Sequence, residues 1–438
     1  MKLSNLPPKG TQDWFPDEYA KRKFIFDGWR KVCESYGFKE YLTPMIEYSE
    51  IYKAKSGEDV GGVELTTFFD RGGRELAIRP EMTPSVTRMV TRVFEHVTKP
   101  IKLFSIANFF RNQRPQKGRN REFWQLNVDV FGSDSVYCDI EMIVMSIEIM
   151  RSFGAKQNDF VILYNHRQYV KRVLQEIFLV PDDKLNLAIR ILDKFWKIPH
   201  DEFLKRLRVE CDAKFSDEDF IVNFCQFGFQ TNKSMSSSLG IRLETDFYKH
   251  EEKFFTILKS LAIQEFLIYD PTLVRGLDYY DGMIFEIFDR NLLLKRHGRK
   301  FDGEVIDRSI FGGGRYNGLS SIFGAKSFPA VGFAVGDETF KLFLETKKLL
   351  PPFNSNLEIF LPILSSSLAE KVFILSSKLR SESKNVLIGL EVMKIDKAID
   401  FCLKNDIPML AILGENEVSR GVYKLKDLAS KVEKEFPF

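Results

Sequence analysis

A clean alternation of apolar and polar positions runs through Phe123–Phe131, FWQLNVDVF. Trp124, Leu126, Val128 and Val130 point one way, and Gln125, Asn127 and Asp129 the other. That is the period of a strand with one buried face. Ile101–Phe110 is a β-rich run that predicts a partner strand, with Pro115 and Gly118 turning the chain between the two. The pattern is an antiparallel hairpin whose tip carries Arg111, Arg114, Lys117, Arg119 and Arg121. Its polar row suits a polar ligand, and the wet side of an ordinary sheet would read the same way.

Helical periods predict an amphipathic helix over Glu18–Tyr36, stopped by Gly37, and another over Cys138–Phe153. Tyr41–Tyr52 reads as a strand entering a turn. Phe68–Ile78 reads as short strands about Gly72–Gly73, and Phe160–Tyr164 and Met283–Phe288 read as strands. Thr83, placed before Pro84 and the Val86, Met89, Val90 stripe, is expected to cap a helix. From about 166 to 261 helical runs dominate, with a Ser-rich piece MSSSLG, and read as a helical insertion. Pro329–Gly336 reads as a buried strand, and Asp337 is expected to cap the helix behind it. PPFNSN at 351–356 has a linker's composition. Residues 357–438 then alternate strand and helix, a small α/β domain, and 1–350 form the larger one.

Composition changes this picture little. The 438 residues allow two or three domains, and 44% hydrophobic and 29% charged residues describe a soluble globular chain. Every long apolar run is broken by charge, so no segment is expected to span a membrane. The N-terminus lacks an apolar h-region, and five dispersed cysteines without CxxC spacing fit reduced thiols; a cytoplasmic location is expected. No structural zinc, organic cofactor or metal held by protein side chains is expected. A net charge of +3 neither demands nor excludes nucleic acid.

The run FRNQRPQKGRNREFWQ at 110–125 resembles motif 2 of the class II aminoacyl-tRNA synthetases, in the form found in histidine–tRNA ligases. RGLDYY at 275–280 and GGGRYNGL at 312–319 resemble the two histidine signatures of that family. YLTPMIEYSEIY resembles motif 1, the dimer element, and LGENEVSRGVYKLKDLA resembles the anticodon-binding domain. The fold implied is an α+β catalytic domain on an antiparallel sheet with a helical insertion, followed by an α/β anticodon-binding domain.

The resemblance implies a set of roles. Glu81, Met82, Thr83, Gln125, Asp129, Tyr279, Tyr280 and Tyr316 would bind histidine. Arg111, Gln113, Arg119 and Arg275 would bind ATP accompanied by Mg²⁺, with Arg111 and Arg275 catalytic, and Arg114 and Gln116 would meet the acceptor end of the histidine tRNA. A homodimer is implied as well. Three positions depart from the family pattern: Gln113 replaces a Glu, Asn317 an Asp, and Thr339 the motif 3 Arg that stacks on adenine. The first and last of these also fit a histidine-sensing paralogue, the regulatory subunit of ATP phosphoribosyltransferase, which has lost catalysis.

Overall fold

Strands carry most of the architecture. The computed structural model describes residues 3–54, 56, 59–227, 245–275, 279–296, 304–352 and 356–438. The Ser-rich piece, Gly276–Asp278, 297–303 of a basic connection and 353–355 of the linker stretch lie outside the described residues. The chain divides into two units, Met1–Leu350 and Pro351–Phe438.

In the first unit the strands are β1 (Lys39–Glu40), β2 (Ile46–Tyr48), β3 (Thr66–Phe69), β4 (Glu75–Ile78), β5 (Ile101–Phe110), β6 (Glu122–Phe131), β7 (Phe160–His166), β8 (Leu267–Tyr269), β9 (Met283–Asp289), β10 (Phe311–Arg315) and β11 (Ala330–Gly336). Eight of them form one sheet in the order β1-β5-β6-β11-β10-β9-β7-β8. The pairs from β5 through β7 are antiparallel, and only the edge strands β1 and β8 join in parallel. β5 and β6 pair without a slip from Ile101↔Phe131 to Phe110↔Glu122. The hairpin read from the alternation is therefore present in that register.

One face of this sheet is covered by the helices Pro16–Ser35, Val136–Ser152 and Asp337–Thr346. Trp29, Met142, Ile149 and Phe340 meet Leu126, Val128 and Phe333 there. The polar face of β6 is covered too: Asn127 and Asp129 are only 3% and 2% exposed. It is not the wet side of a sheet.

Three local expectations are corrected. Tyr41–Tyr52 is a short strand, β2, followed at once by the helix Ser49–Lys53. Thr83 is the first helical residue of Thr83–Thr91 rather than its cap, because Met82 already has helical torsions. Asp337 likewise does not cap its helix. Its carboxylate accepts from the backbone N–H of Trp124 at 3.0 Å and pairs with the buried Arg22. Arg22 also pairs with Glu338 and lies 3.6 Å from the centre of the Trp14 ring. Breaking a buried pair strands a charge in a low-dielectric site. Arg22→Ala is therefore expected to cost about 3–5 kcal/mol, read as a lower urea midpoint. A loss below about 1 kcal/mol would mean that water reaches the pair.

Four helices, Arg167–Glu176, Leu185–Leu192, His200–Cys211 and Glu218–Phe227, build a core of their own around Tyr169, Phe178, Phe195, Phe203 and Leu207. Trp196 ties it to the rest by donating to Thr272 Oγ1 at 3.1 Å. Another described helix of this stretch, Thr245–Ser260, instead sends Phe254 and Leu258 into the core beneath the main sheet.

In the second unit β12 (Ile359–Ile363), β13 (Val386–Val392), β14 (Met409–Ile412), β15 (Val422–Asp427) and β16 (Glu433–Pro437) are ordered β13-β12-β14-β15-β16. The helices Ala369–Ser381 and Ile395–Lys404 make the two parallel crossovers around β12. The closing strand β16 had no signal in the sequence. Its Glu433-Lys434-Glu435 run leaves it exposed and charged along its length, which suits an edge strand.

Candidate active site

The site grows out of β6, β11, β10 and β9, and two glycines open it. Gly332 on β11 sits opposite Asp129, and Gly312 on β10 opposite Glu286. A β-carbon on Gly332 would collide with the Asp129 carboxylate, and one on Gly312 with the Arg275 guanidinium. Only strands without side chains at these points let neighbouring residues lie flat over the sheet. Above them is a cavity of about 580 Å³.

One end of the cavity is rich in acceptors. Glu81 and Thr83 enter from the start of the helix Thr83–Thr91, and the Tyr279 hydroxyl donates to Glu81 Oε2 at 2.9 Å with Thr83 Oγ1 3.5 Å away. The Tyr316 hydroxyl donates to Asp129 Oδ1 at 2.5 Å. Four buried oxygens on this wall lack a good hydrogen bond: Glu81 Oε1, Gln125 Oε1, Asn127 Oδ1 and Asp129 Oδ2. Leaving such groups bare costs free energy that a ligand with N–H donors would recover. Burial, opposed by Tyr316, raises the Asp129 carboxyl to about 7. Burial also raises Glu81, against the pull of the Arg111 and Arg275 charges. Tyr279 and Tyr280, with rings 4.8 Å apart, wall this end. Met82 does not belong to it. Glu81 and Thr83 face the cavity, whereas Met82 turns the opposite way, is fully buried, and accepts from the Thr43 hydroxyl at 3.2 Å through its sulfur.

The other end is cationic. Arg111 donates to Pro80 O at 2.9 Å, and its guanidinium stands 5.3 Å from the Phe123 ring. Burial disfavours this cation and the nearby Glu81 charge supports it. Arg275, held at φ 53°, donates to Phe285 O at 3.3 Å and lies 3.6 Å from Glu286. Arg119 pairs with Glu64 at 3.0 Å and donates to Gln113 Oε1. The Gln113 amide donates to Asn120 O at 2.6 Å, so both ends of this side chain are already engaged inside the hairpin. Thr339 lines the same wall and donates to Gly118 O at 3.2 Å. Arg114 and Gln116 lie outside the cavity, exposed at the hairpin tip.

The sequence model of the family described as Histidyl-tRNA synthetase matches residues 10–339. The chain belongs to the histidyl-tRNA synthetase family. It is 34% identical over 438 residues to the histidine–tRNA ligase of Leptospira biflexa serovar Patoc, a match covering 100% of this chain and 96% of that one. The histidyl-tRNA synthetase structure from Nostoc sp. PCC 7120 superposes with a TM-score of 0.76 at 22% identity, covering 100% and 97% of the two chains. A structure described as an ATP phosphoribosyltransferase regulatory subunit/histidyl-tRNA synthetase from Bacillus halodurans C superposes at 0.70 with 21% identity, covering 92% and 97%. These likenesses agree in the fold, the antiparallel class II sheet.

Within the histidyl-tRNA synthetase family, the departure at Asn317 has a local explanation. Asn317 Oδ1 accepts from Ala330 N at 3.1 Å, a task an amide performs as well as a carboxylate. Arg315 in the same signature serves the fold: it is buried and donates to Asp139 at 3.0 Å and to Ser135 O at 3.2 Å. Several wall residues carried no signal of a site in the sequence. Asn127 was visible only as part of the polar row. Glu64 follows a turn, Lys197 lies in the inserted helical cluster, and Arg308 is in the connection before β10. Their positions depend on long-range packing, which local periodicity does not encode.

Proposed function

We propose that the chain activates L-histidine with ATP as histidyl-adenylate, releasing pyrophosphate, and then transfers the histidyl group to the histidine tRNA. One juxtaposition carries this reading: a wall of unpartnered buried acceptors continuous with a wall of arginines. An ammonium group fits between Glu81 and Thr83. A neutral imidazole, one nitrogen donating and the other accepting, fits Asp129 and the tyrosines. Glu81, Thr83, Gln125, Asp129, Tyr279, Tyr280 and Tyr316 are assigned to histidine on that basis.

The histidine carboxylate must attack the α-phosphate of ATP against charge repulsion, and negative charge grows on the phosphoryl oxygens. Arg111 and Arg275 are the fixed cations that oppose both effects without reorganising. Arg119 is assigned to the outer phosphates, and Mg²⁺ accompanies ATP as part of the substrate. Phe123 offers a flat apolar surface for the base. Arg114 and Gln116 are assigned to the acceptor end of the tRNA, and 357–438 to its anticodon. A homodimer is supported by exposed apolar side chains on and beside the small β2-β4-β3 sheet, among them Met45, Ile46, Tyr48 and Phe69.

The rival reading, a histidine-binding regulatory subunit without catalysis, draws on Gln113 and Thr339. The cations at Arg111, Arg119 and Arg275 argue against it, since sensing histidine alone needs none of them. Pyrophosphate exchange into ATP separates the two. Exchange driven by histidine and by no other amino acid is the expected result. Histidine binding in calorimetry without any exchange would transfer the reading to the regulatory class.

A further inference from the structure

Four arginines line the cavity, and three of them are supported by the charge of a carboxylate from another part of the chain. Arg111 is supported by Glu81, Arg119 pairs with Glu64 at 3.0 Å, and Arg275 lies 3.6 Å from Glu286. The cavity's lysine, Lys197, is paired with Asp193 at 2.7 Å. Arg308 is different. Among the described residues its one carboxylate neighbour is Asp307, 3.9 Å away with a side chain 82% exposed, so that water largely screens the pair. The Arg308 guanidinium instead donates to Gln116 Oε1 at 3.2 Å.

The backbone around Arg308 is firmly placed. Ile306 and Ile310 are buried in the main core on either side, and Ile310 N donates to Ile287 O at 2.7 Å. The hairpin tip fixes the rest of the arrangement. Gln116 and Arg119 exchange backbone hydrogen bonds of 2.9 Å, and Gly118 O receives the Thr339 hydroxyl. Arg308, Arg119 and Thr339 thus all meet the same short turn, and all three line the cavity. A partly buried guanidinium added to a cationic wall, with only a distant and exposed carboxylate near it among the described residues, is favoured when an anion arrives.

We propose that Arg308 is a further ATP-binding residue, holding the outer phosphates from the connection between β9 and β10 and supplying the positive charge that Thr339 does not. The proposal rests on the ATP-dependent reading above. An arginine suits the task because one arm of its fork can stay on Gln116 while the other meets a phosphate oxygen. It also accounts for how the helix Asp337–Thr346 can carry a threonine at its cavity-facing position.

In the full-length chain, Arg308→Ala is expected to raise KM for ATP in pyrophosphate exchange by about tenfold. KM for histidine and the thermal midpoint should stay as in the parent, and Arg308→Lys should recover part of the loss. Adding Thr339→Arg to the Arg308→Ala chain is expected to restore ATP affinity. An unchanged KM for ATP in Arg308→Ala overturns the proposal. So does a defect confined to KM for tRNA, which would move Arg308 to the acceptor-end surface. If the parent chain shows no exchange, the ATP-dependent reading fails and calorimetry with ATP takes over as the readout. Weaker ATP binding by Arg308→Ala would then support the assignment, and equal binding would overturn it.

Discussion

Arg111→Ala is expected to lower kcat for histidine-dependent pyrophosphate exchange by about 10²–10³-fold, the range for removing one preorganised donor from a charge-developing centre. Arg111 is half-buried over Phe123, donates to the Pro80 carbonyl, and is supported by the Glu81 charge. It therefore costs no reorganisation when negative charge appears on the α-phosphate. Its removal also leaves Glu81 in the cavity with one fewer cation, so the Glu81 carboxyl rises further and grips an ammonium group less well. KM for histidine should increase alongside the fall in kcat. Arg111→Lys keeps the charge but loses the planar fork, and should recover only part of the rate. Steady-state exchange at saturating ATP reads both parameters. A loss of less than fivefold in Arg111→Ala would show that Arg275 alone stabilises the transition state.

Asp129→Asn should separate binding from stability. The Asp129 carboxyl, raised by burial to about 7, must ionise to accept strongly from an imidazole N–H. Histidine affinity is accordingly expected to improve as pH rises through about 7, over a range where free imidazole is already mostly neutral. Asn removes that dependence and is expected to weaken histidine binding by about 10²-fold or more, because the remaining buried donors and acceptors no longer match the ring. Stability moves the other way. The folded-state pKa lies above the unfolded one, so folding is undisturbed by this group below the ordinary carboxylate range. That stability is lost as pH climbs toward about 7 and does not return above it. Asp129→Asn escapes the loss, and Tyr316 can still donate to the amide oxygen. A gain of roughly 2–4 kcal/mol at pH 8, absent near pH 4, is the expected result. Calorimetric titrations and urea melts at both pH values test it. Histidine affinity that is flat across pH 6.5–8.5 in the parent chain would show that Asp129 does not contact the ring.

Both predictions turn on groups that could be named from the sequence, but their environments could not. The alternation at 123–131 identified Gln125, Asn127 and Asp129 as one row, and β6 presents them as one row. It also left open whether that row was wet. The answer lies in segments far along the chain: Glu81–Thr83, Tyr279–Tyr280 and Tyr316 roof the strand, so a polar face becomes a buried one. Met82 illustrates the same limit at shorter range. It sits between two site residues in sequence and turns away from both, at the point where the chain enters the helix Thr83–Thr91, and its sulfur meets the Thr43 hydroxyl instead.

The sequence by itself determined the hairpin with its polar row and cationic tip, the buried glycine-containing strand at 329–336 and the alternating second unit. These follow from local rules, period and turn chemistry, that act within a few residues. Tertiary structure alone decided which polar groups have partners. It joins Arg22 to Asp337 across the molecule, so that an expected helix cap is instead half of a buried ion pair. It occupies the carbonyl of Gln113 with Arg119, and it brings Arg308 to the same cavity as Thr339 with, among the described residues, only the exposed Asp307 near its charge. The physical reason is common to all three. The free energy of a charge or an acceptor is set by what stands within a few ångströms of it, and in a folded chain those neighbours come from any distance in sequence.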